Sequence, residues 1–186
     1  MDKEIINRLS NQIWTTRISR VNAEKRLIAK ENFFQWINIY YSCLTIIFSI
    51  LSLYNKDDDL SLMTVFMTIS LLVVILYLNG QKYLEHAREY RKNYTELQKL
   101  EFELNHVNSE EELRKIEERY CELMDSSSNH ISYDYYKTVH GSNKSYRAER
   151  WQGVKCKYYW NVIWRVVIKF IIIVLPILLY TLCEVF

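Results

Sequence analysis

Two uncharged runs, held apart by only four residues, constrain this chain more than any other feature. Asn32 to Asn55 holds no Asp, Glu, Lys or Arg over 24 residues, and Leu60 to Gln81 holds none over 22. A helix needs about 20 mostly apolar residues to cross a bilayer, so both runs are long enough. The linker Lys56–Asp59 is short enough to force the two into an antiparallel hairpin. In water, two such helices side by side would have almost no polar face to turn to solvent. With 3 Gly and 1 Pro in 186 residues, the chain has few turn formers for β-hairpins or Gly-rich phosphate loops. Long helices with short connections are the expectation.

A third hydrophobic segment closes the chain. Phe170 to Cys183 is uncharged and extends backward through Val166 and forward to Phe186. Arg165 and Lys169, four apart and on one face, can snorkel to the headgroups from near its start. Tyr158, Tyr159, Trp160 and Trp164 suit an interfacial aromatic belt. Pro176 is expected to interrupt the helix, which a membrane tolerates better than water does. A third span is favoured over an interfacial or re-entrant helix.

Lys and Arg are distributed unevenly about these segments. Residues 1–33 carry seven: Lys3, Arg8, Arg17, Arg20, Lys25, Arg26 and Lys30. The hairpin linker has one, Lys56, beside Asp57, Asp58 and Asp59. Lys82, Arg88, Arg91 and Lys92 follow the second run; Lys144, Arg147, Arg150, Lys155 and Lys157 precede the third, and only Glu184 follows it. By the positive-inside rule the N-terminus and middle region face the cytoplasm, and the linker and C-terminus lie outside. The first 30 residues lack a signal-peptide pattern. Cys43, Cys121, Cys156 and Cys183 do not form a disulfide framework.

Ile5, Leu9, Ile13, Trp14, Ile18, Val21 and Leu27 follow a helical period, with charged residues expected on the other face. This predicts an amphipathic helix running straight into the first span. After Lys82 a long helix is expected to continue out of the second span: Tyr83, Ala87, Tyr90, Tyr94 and Leu97 step by 4, 3, 4, 3, and Leu100, Leu104 and Val107 follow. Asn108 breaks the pattern. Ser109 with Glu112 makes a capping box for a second helix bearing Leu113, Ile116, Tyr120 and Leu123. A two-helix hairpin has too little core to stand alone. It needs the N-terminal helix, the C-terminal region or other subunits, and its short heptad seams suit oligomerisation.

The organisation is therefore an all-α membrane protein. Residues 1–31 form a cytoplasmic amphipathic helix, 32–81 a transmembrane hairpin, 82–157 a cytoplasmic helical module and 158–186 a C-terminal transmembrane helix.

No catalytic site is legible, and no cofactor is implied. His86, His106, His130 and His140 lack metal-ligand spacing, and no Cys pair has the short spacing of a zinc site. There is no Walker loop, dinucleotide fingerprint or nucleophile elbow. His130 and Asp134, four apart, can share a face, and a structural role is favoured for them. Tyr133, Tyr135, Tyr136, Lys137, Lys144, Tyr146, Arg147, Arg150 and Trp151 interleave aromatics with basic residues. Such a stretch can bind a nucleotide or single-stranded nucleic acid, but contact with anionic lipid is the favoured reading.

The informative pattern lies inside the first span. Gln35, Asn38, Ser42, Thr45, Ser49 and Ser52 are spaced 3, 4, 3, 4, 3, so all six share one face. Ile37, Tyr41, Leu44, Phe48 and Leu51 form an apolar back. Ser61, Thr64 and Thr68 add a polar face over the outer half of the second span, and Asn79 marks its inner end. Two readings stay open. Small hydroxylated residues line close helix contacts, at about 0.6 kcal/mol per polar pair. Alternatively, these nine residues, Gln35 to Ser52 and Ser61 to Thr68, line a water-filled pore that several copies must enclose. The two states can alternate, packed at rest and wetted when open.

At these residues the chain resembles a SLATT domain, a two-span effector domain of bacterial nucleotide-based conflict systems. The resemblance rests on Ile13-Trp14-Thr15-Thr16-Arg17 and Arg26-Leu27 ahead of the first span. It rests too on the tight membrane hairpin followed by a long helix, and on Asn129-His130-Ile131-Ser132-Tyr133-Asp134-Tyr135. It covers roughly residues 1–150, with the third span as a subfamily extension. It implies a pore-forming antiphage suicide effector acting as a homo-oligomer in the lipid bilayer. The alternative is a non-conducting anchor that recruits a cytosolic sensor or defence enzyme. The implied partner is a nucleotide-generating or nucleotide-sensing protein, or a reverse transcriptase, encoded nearby. Arg17, Arg26, His130, Tyr133, Asp134, Tyr135, Arg147 and Arg150 are the candidates for receiving the signal.

Overall fold

The computed structural model describes residues 3–56, 58–126, 131–141 and 151–185; for 151–155, 179 and 182–185 it describes the backbone alone. Every described element is a helix: α1 (Lys3–Asn55), α2 (Asp58–Gly80), α3 (Tyr83–Leu104), α4 (Glu110–Asp125), α5 (Ser132–His140) and α6 (Trp151–Val185). Three of them carry stretches long and apolar enough to cross a membrane, in α1, in α2 and over Cys156–Leu178 of α6. The chain is an all-α membrane protein. It divides into a helical module, Met1–Ile28 with Tyr83–Asn161, and a membrane unit, Ala29–Lys82 with Val162–Phe186.

The helix boundaries follow local chemistry. Lys56 ends α1 in the left-handed region, at φ 54°, and α2 starts two residues later with Asp58 and Asp59 in its first turn. Carboxylates there complement the positive end of the helix dipole. The expected continuation of the second span into the next helix does not hold. Lys82 adopts φ 48° and separates α2 from α3, with Gln81 N–H closing the turn on the Leu78 carbonyl at 3.0 Å. Ser109 caps α4 as its spacing predicted: its Oγ accepts from Glu112 N–H at 3.2 Å, while the Glu112 carboxylate reaches back to Asn108 N–H at 3.0 Å.

In the helical module, Leu97, Leu100 and Leu104 of α3 pack with Leu113 and Ile116 of α4, and Leu9 and Ile13 of α1 complete the cluster. The α3–α4 hairpin thus obtains its missing core from the N-terminal helix, and its seam is filled within the chain. The α1 surface departs from expectation after Ile13. Its buried line is Thr16, Arg20, Ala23 and Leu27, flanked by buried Ser19 and Glu24, whereas Trp14, Ile18 and Val21 are only half-buried. Two charged residues expected on the outer face, Arg20 and Glu24, therefore lie inside. In α3, likewise, Asn93 rather than Tyr94 takes the inward place between Tyr90 and Leu97.

In the membrane unit, α1 and α6 run side by side. Phe48 stacks on Tyr180 at 5.0 Å between ring centroids, and the Tyr41 hydroxyl donates to the Ile172 carbonyl at 2.7 Å. Pro176 does not interrupt α6, which runs through it as one helix. Proline removes the N–H that would pair with the carbonyl four residues back and crowds that turn. Ile172 is that residue, and Ile173 is its neighbour. Tyr40 donates to the Ile173 carbonyl at 3.0 Å, so consecutive tyrosines of α1 serve consecutive carbonyls beneath the buried proline. Outward, the unit shows Ile46, Ile50 and Leu53 of α1, Leu72 and Leu76 of α2, and Phe170 and Ile171 of α6, the surface a lipid environment requires.

Candidate functional site

The polar stripe of the first span is tucked between helices rather than displayed. Gln35, the first residue of the stripe, is exposed and donates to Glu31 at 3.0 Å. Asn38, Ser42, Thr45 and Ser49 are half-buried, and Ser52 is buried. Ser42 Oγ donates to the Asn38 carbonyl and Thr45 Oγ1 to the Tyr41 carbonyl, each at 2.8 Å. Hydroxyls in apolar surroundings take back-bonds of this kind because no water is at hand. In α2, Thr64 is buried and bonds to the Ser61 carbonyl, while exposed Thr68 bonds to that of Thr64; Ser61 is exposed. Asn38 differs. Its Oδ1 is buried without a hydrogen-bond partner, and Asn38 is among the residues lining a cavity formed by α1, α2 and α6.

The apolar back behaves differently along its length. Tyr41 and Phe48 hold α6, whereas Leu44 and Leu51 are half-buried. The outward surface of α1 is a third face, with Trp36, Ile39, Ile46 and Ile50. One copy thus turns its polar stripe inward and shows an apolar side to its surroundings.

In the helical module the signal candidates fall into two groups. Arg26 grips Asp134 with Nε at 2.9 Å from Oδ1 and Nη2 at 3.0 Å from Oδ2. Arg17 pairs with Glu101 at 2.9 Å. Tyr133 stacks on Tyr158 at 5.8 Å, and Tyr135 stands edge-on to Tyr136. His140 meets Tyr158 at 4.8 Å, and its Nε2 lies 3.3 Å from the Tyr159 hydroxyl. So Tyr158 and Tyr159, expected in an aromatic belt, engage α5, while Trp160 and Trp164 stay exposed. His130, Arg147 and Arg150 lie outside the described residues, as do Lys144 and Tyr146.

Sequence reasoning missed the polar core beside these pairs. Arg20 is fully buried, donates to the Leu123 carbonyl at 3.1 Å and leaves its Nε without a partner. Burial lowers its pKa, although a guanidinium stays charged. Asn93 Nδ2 donates to the same carbonyl at 2.8 Å, so two donors serve the last turn of α4, where the helix dipole is negative. Thr16 meets the Tyr120 hydroxyl at 3.1 Å, Ser19 meets Thr138 at 3.1 Å, and Asn22 reaches Thr138 at 3.0 Å. Glu24 holds Arg91 at 2.6 Å. The signal was present: stepping by 3 and 4 from Leu9 and Ile13 lands on Thr16, Arg20, Ala23 and Leu27.

The Arg26–Asp134 pair joins two of the sequence stretches that carried the family resemblance, and the hairpin between them is in place. The model of the SMODS and SLOG-associating 2TM effector domain family 5 matches residues 2–182. The chain belongs to this SLATT family. The match runs through α6 almost to its end, so the third apolar helix of this SLATT protein lies within the residues matched by family 5. No curated protein and no solved structure matches the chain. A 2TM effector domain with three apolar helices is a membrane effector of conflict systems.

Proposed function

We propose that this SLATT protein is an oligomeric pore-forming effector. When triggered in antiphage defence, it permeabilises or depolarises the bacterial inner membrane, and it has no enzymatic activity. The observation that carries the reading is the inward polar stripe from Asn38 to Ser52 in a unit whose outer surface is apolar. Back-bonded hydroxyls give a resting state that is stable without water. Rotating α1 within an assembly turns the same hydroxyls toward copies of themselves and exchanges their backbone partners for water. Asn38 Oδ1, buried and unpartnered, marks where a donor from a neighbouring copy or from water enters first.

The helical module and the N-terminus are cytoplasmic in this reading, following the Lys and Arg distribution. The trigger is a cytosolic nucleotide-generating or nucleotide-sensing protein, or a reverse transcriptase, encoded nearby, and it acts on the module. A two-state bundle biased by its differential binding is sufficient.

The test follows membrane potential with a voltage-sensitive dye after induction in bacteria. Wild type is compared with Ser42→Leu/Ser49→Leu at matched insertion and oligomer size. Depolarisation by wild type alone supports the pore and its lining. Absence of depolarisation even under phage challenge, with the native neighbouring genes present, refutes it and leaves the non-conducting anchor.

A further inference from the structure

Among α1, α2 and α6 of the membrane unit lies a cavity of about 430 Å³, within the range of small-molecule sites. Phe33, Asn38 and Tyr41 of α1, Met67 and Ile75 of α2 and Pro176 of α6 are among its walls, and no charged residue lines it. An apolar cavity does not hold water well, and an empty one forfeits dispersion contacts with every wall. In a bilayer the matter at hand to fill it is a hydrocarbon chain.

Charge marks one end of the cavity. The contacts of Tyr41 with Ile172 and of Phe48 with Tyr180 make α1 and α6 parallel within the unit. Their first turns in the unit, and the last turn of α2, therefore share an end. That end carries Lys30, Lys82, Arg165 and Lys169 against one acid, Glu31, which Gln35 engages. The opposite end has Lys56 against Asp58 and Asp59. Lys169 Nζ sits 4.7 Å from the centroid of Phe33, a ring that lines the cavity. An ammonium over an aromatic wall at the basic end is placed to hold an anionic headgroup while the tail runs inward.

We propose that the cavity seats an acyl chain of an anionic phospholipid whose headgroup is held by Lys169. The juxtaposition that carries this is a largely apolar, uncharged cavity with a lysine over one of its aromatic walls at the basic end of the unit. A zwitterionic lipid has the tail without the net charge, and a soluble nucleotide has the charge without the tail.

The full chain, purified in mild detergent, is exposed to phosphatidylglycerol or phosphatidylcholine carrying a photoactivatable group near the tail end. Retained lipid is counted by native mass spectrometry, and crosslinked peptides are mapped. The expected result is several-fold greater retention of phosphatidylglycerol, with tail crosslinks at Met67, Leu71 or Ile75. Lys169→Gln removes the preference and keeps the crosslink positions. Leu71→Trp fills the space and loses those crosslinks, with helix content checked by circular dichroism. Crosslinks in wild type spread over the outward residues Ile46, Leu72 and Ile171 would overturn the proposal, since lipid then merely surrounds the unit. Equal retention of the two lipids by wild type would overturn it as well.

Discussion

Arg26 in α1 and Asp134 in α5, 108 residues apart, are joined by a two-pronged ion pair in which Asp134 is fully buried. Fork geometry of this kind suits a guanidinium and not an ammonium. Breaking a buried pair from one side leaves a charge without its counterpart, at a cost of about 3–5 kcal/mol, whereas replacing both partners by apolar residues is often neutral. Asp134→Ala is therefore expected to lower the stability of the helical module by about that amount. Arg26→Met/Asp134→Leu should recover most of it. Chemical unfolding of the full chain in detergent checks both.

The tyrosines beneath Pro176 yield a second expectation. An unsatisfied buried carbonyl costs about 1–3 kcal/mol, so Tyr41→Phe should destabilise the membrane unit within that range. Tyr40→Phe should cost less, because its bond to Ile173 is exposed. Pro176→Ala restores an N–H for the Ile172 carbonyl, so Tyr41→Phe should cost less in that background. A double-mutant cycle in detergent unfolding measures the coupling.

Ile13 and Leu97 are wholly buried in the α1–α3–α4 cluster, whereas Ser109 acts only at the start of α4. Ile13→Ala or Leu97→Ala should cost about 2–5 kcal/mol by leaving a cavity. Ser109→Ala should cost about 1 kcal/mol by removing a cap. Hydrogen exchange should show the cap variant opening locally and the core variants opening the whole module.

Burial raises the Tyr90 phenol above its ordinary value of 10.0, and Tyr94 is raised too, by burial and then by its bond to Glu24. Between the unfolded and the folded value the native state binds more protons than the unfolded state. Stability that is full below pH 10 is therefore lost as pH rises through the folded values. Unfolding midpoints measured below and above pH 10 should fall for wild type and fall less for Tyr90→Phe.

Thr45→Val separates packing from conduction. Its hydroxyl bonds only to its own helix in the resting unit, so removal should change stability by about 0.6 kcal/mol or less. A pore-lining hydroxyl predicts a clear drop in dye-reported depolarisation at equal expression.

The helices and their apolar runs were legible because each depends on residues close in sequence: an uncharged length, a heptad step, a Ser–Glu capping box. Leu97, Leu100, Leu113 and Ile116 could be assigned to a core for the same reason. The inward places of Arg20, Glu24 and Asn93 were missed because residue type argued for the surface, although spacing alone pointed inward for Arg20. Partners for two of them come from distant parts of the chain, the Leu123 carbonyl for Arg20 and Arg91 for Glu24. The break at Lys82 was hidden by an apolar period that continues on both sides of it.

In the membrane unit the sequence determined that α1 carries a polar stripe, since a shared face follows from helical spacing alone. It also settled that three stretches are apolar enough to span, since that depends on length and charge. Only the tertiary structure decided where the stripe points and how α6 passes through Pro176 unbroken. The second rests on contacts between residues more than 100 apart in the chain, with Tyr41 answering the Ile172 carbonyl that Pro176 leaves without its N–H and Tyr40 bonding to the next one. Local spacing sets which residues share a face; only packing decides what that face meets.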